Sequence, residues 1–240
     1  RPMSALLAEE LGVSLRDGER RFRLGVPRFV LNAGEVVGLT GASGTGKTLL
    51  LELLGLLRRP DPGGRYVAAE GEDLLALWQA GRRARLTDVR AGHFAFVPQA
   101  GGLMPFLTAE ENIALSQQIS GRIDRAHVRA LIARLGLGPV AGLRPERLSI
   151  GQRQRVSIAR ALAHRPPVVI ADEPTAALDP EAAAQAMALL FGAAAESGAA
   201  VLVSSHDHGL LERFPMRRIR LEAQTQGATT VSTLVAEGGA

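Results

Sequence analysis

Three short runs of apolar residues stand out along the chain: VVGLT at 36–40, VVIAD at 168–172 and VLVSS at 201–205. A strand with one wet face alternates apolar and polar positions. These runs do not alternate, so they are predicted as strands covered on both faces, as in a parallel sheet with helices on each side. Helical patterns separate them: TLLLELLGLL at 48–57 follows the first, QRVSIARALAH at 154–164 precedes the second, and PEAAAQAMALLFGAAAES at 180–197 follows it. The alternation predicts an α/β fold with a mostly parallel sheet. Residues 102–165 read as mostly helical, with a break at Pro105, a helix start at Thr108 three positions before Glu111, and a turn in GLGPVAG at 136–142. They are expected to form a helical subdomain within one domain whose core is about residues 1–101 and 166–240. Short β-like pieces, RFRLGV at 21–26 and HFAFV at 93–97, are assigned to an antiparallel β flank. The polar, small-residue tail from Gln224 to Ala240 is expected to give one last hairpin and a frayed end.

Composition narrows the picture. With 240 residues, 46% of them hydrophobic, the chain buries a substantial core and fits one domain, with or without a smaller lobe. The longest apolar stretches, such as AAVLV at 199–203, fall far short of the roughly 20 residues of a spanning helix. Residues 1–12 carry acids and lack an apolar region followed by a cleavage site, so no signal peptide is expected, and the start at Arg1 suggests that a residue or two is missing upstream. The absence of cysteine excludes a disulfide framework and any thiolate site, and is compatible with the cytoplasm. A net charge of +4 suits nucleic acid or an anionic bilayer, but the arginines are scattered, with only RRIR at 217–220 and GRRAR at 81–85 as short runs. A compositional bias toward Arg explains that better than a dedicated basic surface.

Lys47 is the only lysine among 28 basic residues, and it lies in GASGTGKT at 41–48, between the first strand and the first helix. Strand, glycine loop and apolar helix together are the context of a phosphate-binding loop. Gly41, Gly44 and Gly46, with Ala42, Ser43 and Thr45 between them, let successive amides point inward at phosphate oxygens, and the helix adds its positive end. A compact ammonium reaches terminal phosphates where a planar guanidinium needs more room. Thr48 would place a hydroxyl on Mg²⁺.

The second strand ends in Asp172 and Glu173, which face opposite ways in an extended chain; Asp172 is assigned to Mg²⁺ through water, and Glu173 to orienting or deprotonating the attacking water. The third ends at His206, placed to contact the terminal phosphate because ligands of open α/β sheets bind beyond the carboxyl ends of the strands. Taken singly, the loop is a glycine-rich turn with an incidental Lys and the acidic pair an acidic turn before Pro174. His206 and His208 flank an acid like metal ligands, but no third ligand cluster appears. His93, His127 and His164 read as surface or packing residues.

From Gly34 to His206 the chain resembles the nucleotide-binding subunit of an ATP-binding cassette transporter. The most specific element is LSIGQRQRVSIARAL at 148–162, similar to the family signature. The resemblance implies that Ser149, Gly151 and Gln152 close over ATP held on a second subunit's phosphate loop, hence a dimer, expected to be of identical chains. Ile150 replaces the more usual glycine. Gln99 looks like the family's lid glutamine, linking Mg²⁺ and the attacking water to the helical lobe. Ala177, Leu178 and Asp179 look like the loop that crosses the dimer interface, with Ala176 where serine is frequent. Where the family commonly stacks adenine on an aromatic, Leu15 and Arg16 stand here, with Phe22 nearby.

The resemblance implies an ATPase that uses ATP and Mg²⁺, sits peripherally on the cytoplasmic face of the inner or plasma membrane, and drives integral membrane permease subunits. GEDLLALWQAGRRARLTDVRAGHFAFVPQ at 71–99 and LMPFLTAEENIAL at 103–115 are similar to the lipoprotein-releasing and macrolide-export branch. A cassette ATPase acting on nucleic acid or ribosomes is the alternative. Paired cassettes or a long coiled coil would mark it, and neither is present, so no nucleic-acid partner is expected. A nucleotide-binding scaffold without turnover is a third reading, opposed by the intact Lys47, Asp172, Glu173 and His206.

Overall fold

The computed structural model describes residues 4–68, 71–99 and 101–236. Its strands are β1 (Ser4–Asp17), β2 (Arg20–Asn32), β3 (Val36–Thr40), β4 (Arg65–Ala68), β5 (Phe94–Val97), β6 (Val168–Asp172), β7 (Ala200–Ser204), β8 (Arg217–Gln226) and β9 (Thr229–Ala236). Its α-helices are α1 (Lys47–Leu54), α2 (Leu74–Gln79), α3 (Arg83–His93), α4 (Ala109–Ser120), α5 (Arg125–Arg134), α6 (Ile150–Leu162), α7 (Pro180–Ser197) and α8 (His208–Glu212). One sheet takes the strands in the order β4-β1-β2-β9-β8-β3-β7-β6-β5. From β8 to β5 every pairing is parallel. From β8 toward β4 the pairings are antiparallel, except the parallel one between β2 and β9.

The unbroken apolar runs are β3, β6 and β7, side by side at the centre of the parallel region. Each strand feeds two cores. Val168 and Ile170 of β6, with Ala200 and Leu202 of β7, join a cluster containing the α1 leucines and residues of β1, β2 and β4. Val169, Ala171, Val201 and Val203 join the opposite cluster with α4, α6 and α7. Both parities are therefore apolar because both faces are dry. Leu49, Leu50, Leu51, Leu53 and Leu54 of α1 are all buried, each contributing about 1.5–3 kcal/mol relative to exposure. That helix is anchored on nearly every side.

Residues 102–165 hold α4, α5, two short 3₁₀ turns and α6. Thr108 and Glu111 cap α4 reciprocally as expected, and Gly136 follows α5 in a left-handed conformation (φ 65). Two expectations need correction. FAFV is β5, which pairs parallel to β6 at the far edge of the sheet instead of joining the antiparallel flank. RFRLGV does belong to that flank, within β2. The final hairpin, β8–β9, begins at Arg217, so the RRIR run is a strand in which Ile219 is buried and Arg217 pairs with Glu35 at 2.7 Å. The end of the tail, 237–240, lies outside the described residues.

Candidate active site

The 41–48 loop leaves β3 and enters α1. Gly44 and Gly46 hold φ of 78° and 95°, a left-handed region that side chains resist. A Cβ on Gly46 would lie 2.9 Å from Phe22 Cζ, so the phenylalanine ring is packed directly under the loop. The loop is tied from within and from below. Thr45 Oγ1 donates to the Ala42 carbonyl at 2.9 Å, and the fully buried Ser232 hydroxyl of β9 donates to the Thr45 carbonyl at 2.6 Å. Lys47 is 8% exposed, and its Nζ donates to the carbonyls of Gly41 at 2.9 Å and Ala42 at 3.3 Å.

Because β3, β7 and β6 are neighbours, their carboxyl ends meet at one rim. Thr48 Oγ1 donates to Asp172 Oδ2 at 2.7 Å. Glu173 follows β6 with φ 44, and its Oε1 lies 3.8 Å from Lys47 Nζ. His206 Nδ1 lies 3.0 Å from Glu173 Oε2. The glycine loop, the acidic pair and the imidazole thus converge. Gln99 is exposed two residues past the end of β5, on the same side of the sheet. The next residues described, Gly101 and Gly102, are held to α6, Gly101 O by Ser157 Oγ at 2.9 Å and Gly102 O by Arg160 at 2.8 Å.

Ser149 and Gln152 form a capping box at the start of α6: Ser149 Oγ accepts from the Gln152 amide at 3.2 Å, and Gln152 Oε1 from the Ser149 amide at 2.9 Å. Ile150 is half exposed at that tip, and a Cβ on Gly151 would meet Leu178 at 4.0 Å, so the 148–152 and 177–179 segments are adjacent. Asp179 caps α7, accepting from the amides of Glu181 at 3.1 Å and Ala182 at 2.9 Å. Leu15, Arg16 and Phe22 line a cavity of about 1180 Å³ between the β1–β2 and β8–β9 turns.

His208 opens α8 behind its cap Asp207, and among the described residues no group of three or more His, Asp or Glu is arranged around a metal position. His164 is a buried packing residue, with Nε2 3.2 Å from the Phe94 carbonyl, and burial lowers its pKa from the usual histidine value. His93 Nε2 lies 3.2 Å from the Ala5 carbonyl. Sequence reasoning missed Ser204 and Ser232, both fully buried and both bonded to the site. For Ser204 the available signal was a polar residue closing an apolar strand; Ser232 lies inside β9 (TTVSTLVA), where nothing in the sequence singles it out.

A strand order that gathers a phosphate loop, an acidic pair and a histidine at one rim defines a nucleotide-hydrolysing cassette. The ABC transporter family model matches residues 25–176, more than half of the chain, and the chain belongs to that family. A lipoprotein-releasing system ATP-binding protein, LolD 2 of Caulobacter vibrioides, is 44% identical over 177 residues, covering 72% of this chain and 75% of its own. The LolD of Idiomarina loihiensis is 39% identical, covering 87% and 91%. A macrolide export ATP-binding/permease protein, MacB 1 of Aeromonas hydrophila, is 38% identical across 82% of this chain and 30% of its own. Among solved structures, the dimeric MJ0796 bacterial ABC transporter cassette superposes with a TM-score of 0.78 at 32% identity, covering 90% of this chain and 93% of its own. A post-hydrolysis state of that cassette, bound to ADP and Pi, gives 0.79. Within the family the chain is a transporter ATPase of the lipoprotein-release and macrolide-export branch. The nucleic-acid alternative finds no support among these relatives. No helix among the described residues is long and apolar enough to cross a membrane.

Proposed function

We propose that two copies of this chain enclose two molecules of Mg·ATP between them and that hydrolysis, which reopens the pair, powers membrane permease subunits. The observation that carries this is the convergence of Lys47, Thr48, Asp172, Glu173 and His206 at the carboxyl ends of β3, β6 and β7. Lys47 exchanges its two loop carbonyls for phosphate oxygens, while the 41–48 amides and the α1 N-terminus cradle them. Glu173 orients and deprotonates the attacking water, and His206, bonded to that carboxylate, holds its direction and approaches the terminal phosphate. Thr48 and Asp172 present one hydroxyl and one carboxylate, hard oxygen donors of the kind and number that suit Mg²⁺ beside phosphate, with Gln99 reaching in from the β5 side. The ion, when bound, neutralises charge developing on the phosphates.

In the dimer, Ser149, Gly151 and Gln152 of one copy face the nucleotide on the other, and Asp179 lies at the crossing between copies. Helix α6 connects that surface to the Gln99 loop through Ser157 and Arg160, a route by which closure reaches the helical subdomain. Permease subunits engage a groove of about 310 Å³ lined by Phe96, Met104, Leu115, Ile119 and Arg160. In this reading the protein sits peripherally on the cytoplasmic side of the membrane, as a subunit of a system like those its LolD and MacB relatives are named for. Glu173→Gln tests the site: ATP binding is retained while phosphate release stops, and turnover at the parent rate removes Glu173 from the mechanism.

A further inference from the structure

Ser204 closes β7 with no solvent exposure, opposite Asp172 in the β6–β7 register. Its Oγ donates to Asp172 Oδ1 at 2.7 Å and accepts the Glu173 amide at 2.9 Å. A hydroxyl has one proton and two lone pairs, so a single atom serves both members of the acidic pair. The second bond forms where the ladder stops: Glu173 turns left-handed (φ 44), and its amide takes a side-chain acceptor from the adjacent strand. Such a conformation persists only where the surroundings over-determine it. Asp172 is held on its other oxygen by Thr48, so donors from two elements fix the plane of the carboxylate. Ser205, by contrast, serves its own turn, accepting the Asp207 amide at 3.0 Å.

We propose that Ser204 is a positioning residue for ATP hydrolysis, its hydroxyl fixing both the Asp172 carboxylate and the left-handed turn that aims Glu173 at Lys47 and His206. This rests on the roles given to Asp172 and Glu173 above. Orienting partners one layer behind the reacting groups typically cost about 10- to 100-fold in activity when removed.

The test uses the purified full chain, with Ser204→Ala beside Glu173→Gln. Ser204→Ala is expected to lower kcat by about 10- to 100-fold with KM for Mg·ATP little changed, the split expected when an aligned reacting group is lost and binding is kept. Without nucleotide, the Glu173 amide is expected to exchange with deuterium faster in Ser204→Ala than in the parent. Should alanine not fold, Ser204→Thr and Ser204→Val form a matched pair differing only in the hydroxyl, and Thr should turn over about tenfold faster than Val or more. Parent-like kcat in Ser204→Ala, an unchanged Glu173 amide, or equal rates for Thr and Val overturns the proposal while Glu173→Gln remains inactive. An active Glu173→Gln instead removes the assignment of Glu173 itself, and the role of Ser204 with it.

Discussion

Replacing Gly46 by alanine perturbs the phosphate loop at its tightest point. Two costs arise. The residue holds φ 95 and ψ 24, and placing an L side chain in left-handed backbone costs about 1–2 kcal/mol. The added methyl also lies 2.9 Å from Phe22 Cζ, 3.2 Å from Phe22 Cε1 and 3.3 Å from Leu24 Cδ1, and forced overpacking costs about 1–3 kcal/mol. Together they amount to about 2–5 kcal/mol, a large part of the roughly 5–15 kcal/mol that holds a typical domain together. For a chain of this size that is a fall in Tm of about 4–20 °C. Gly44→Ala is the internal control: φ is 78 there, but nothing lies within 4 Å of the added methyl, so only the backbone cost applies. Thermal and urea unfolding of the two variants without nucleotide isolates the Phe22 contact as their difference. If Gly46→Ala proves no less stable than Gly44→Ala, the ring is not packed against the loop as described.

Lys47→Arg retains the charge, but a planar fork must enter a site where the parent side chain is 8% exposed and bonded to two carbonyls. ATP affinity by titration calorimetry should fall roughly 10- to 150-fold, the value of one charged hydrogen bond of about 1.5–3 kcal/mol; unchanged affinity would show that the pocket admits either cation. Acid stability should report His164 and His127, whose pKa values burial pushes below the usual 6.5. The unfolded chain takes up those protons first, so stability is fully present above about pH 6.5 and falls as pH drops below it, until the folded histidines also protonate. His164→Gln should flatten the dependence of urea midpoint on pH between about 5 and 7; an unaltered slope would mean that burial does not hold this imidazole neutral.

The centre of the sheet was legible because β3, β6 and β7 are dry on both faces, a state that sequence records as unbroken apolar runs. The same runs carry the site: once they are adjacent, Lys47, Asp172, Glu173 and His206 have to meet. The periphery was less legible. In β1, Leu6 and Ala8 are buried but so are Leu11 and Val13, because the phase reverses at Glu10, whose φ is 49; a simple alternation search loses such a strand. Helix α3 buries only Leu86 and Val89, too few to mark a stripe, so the helical crossover before FAFV was not expected. Without that crossover a four-residue strand has no evident direction, and β5 was assigned to the wrong flank. Ser204 lies inside the run predicted as the third strand, but its contact with the acidic pair depends on the β6–β7 register, which the run itself does not record.

A chain that writes every other basic residue as arginine has a single side-chain amine, and that amine sits in the phosphate loop. Acylating or reductively alkylating reagents therefore find no competing ε-amino group elsewhere in the sequence. Protection of this one position by nucleotide can be followed by mass spectrometry as a direct gauge of occupancy, even in crude membranes where turnover is masked by other enzymes.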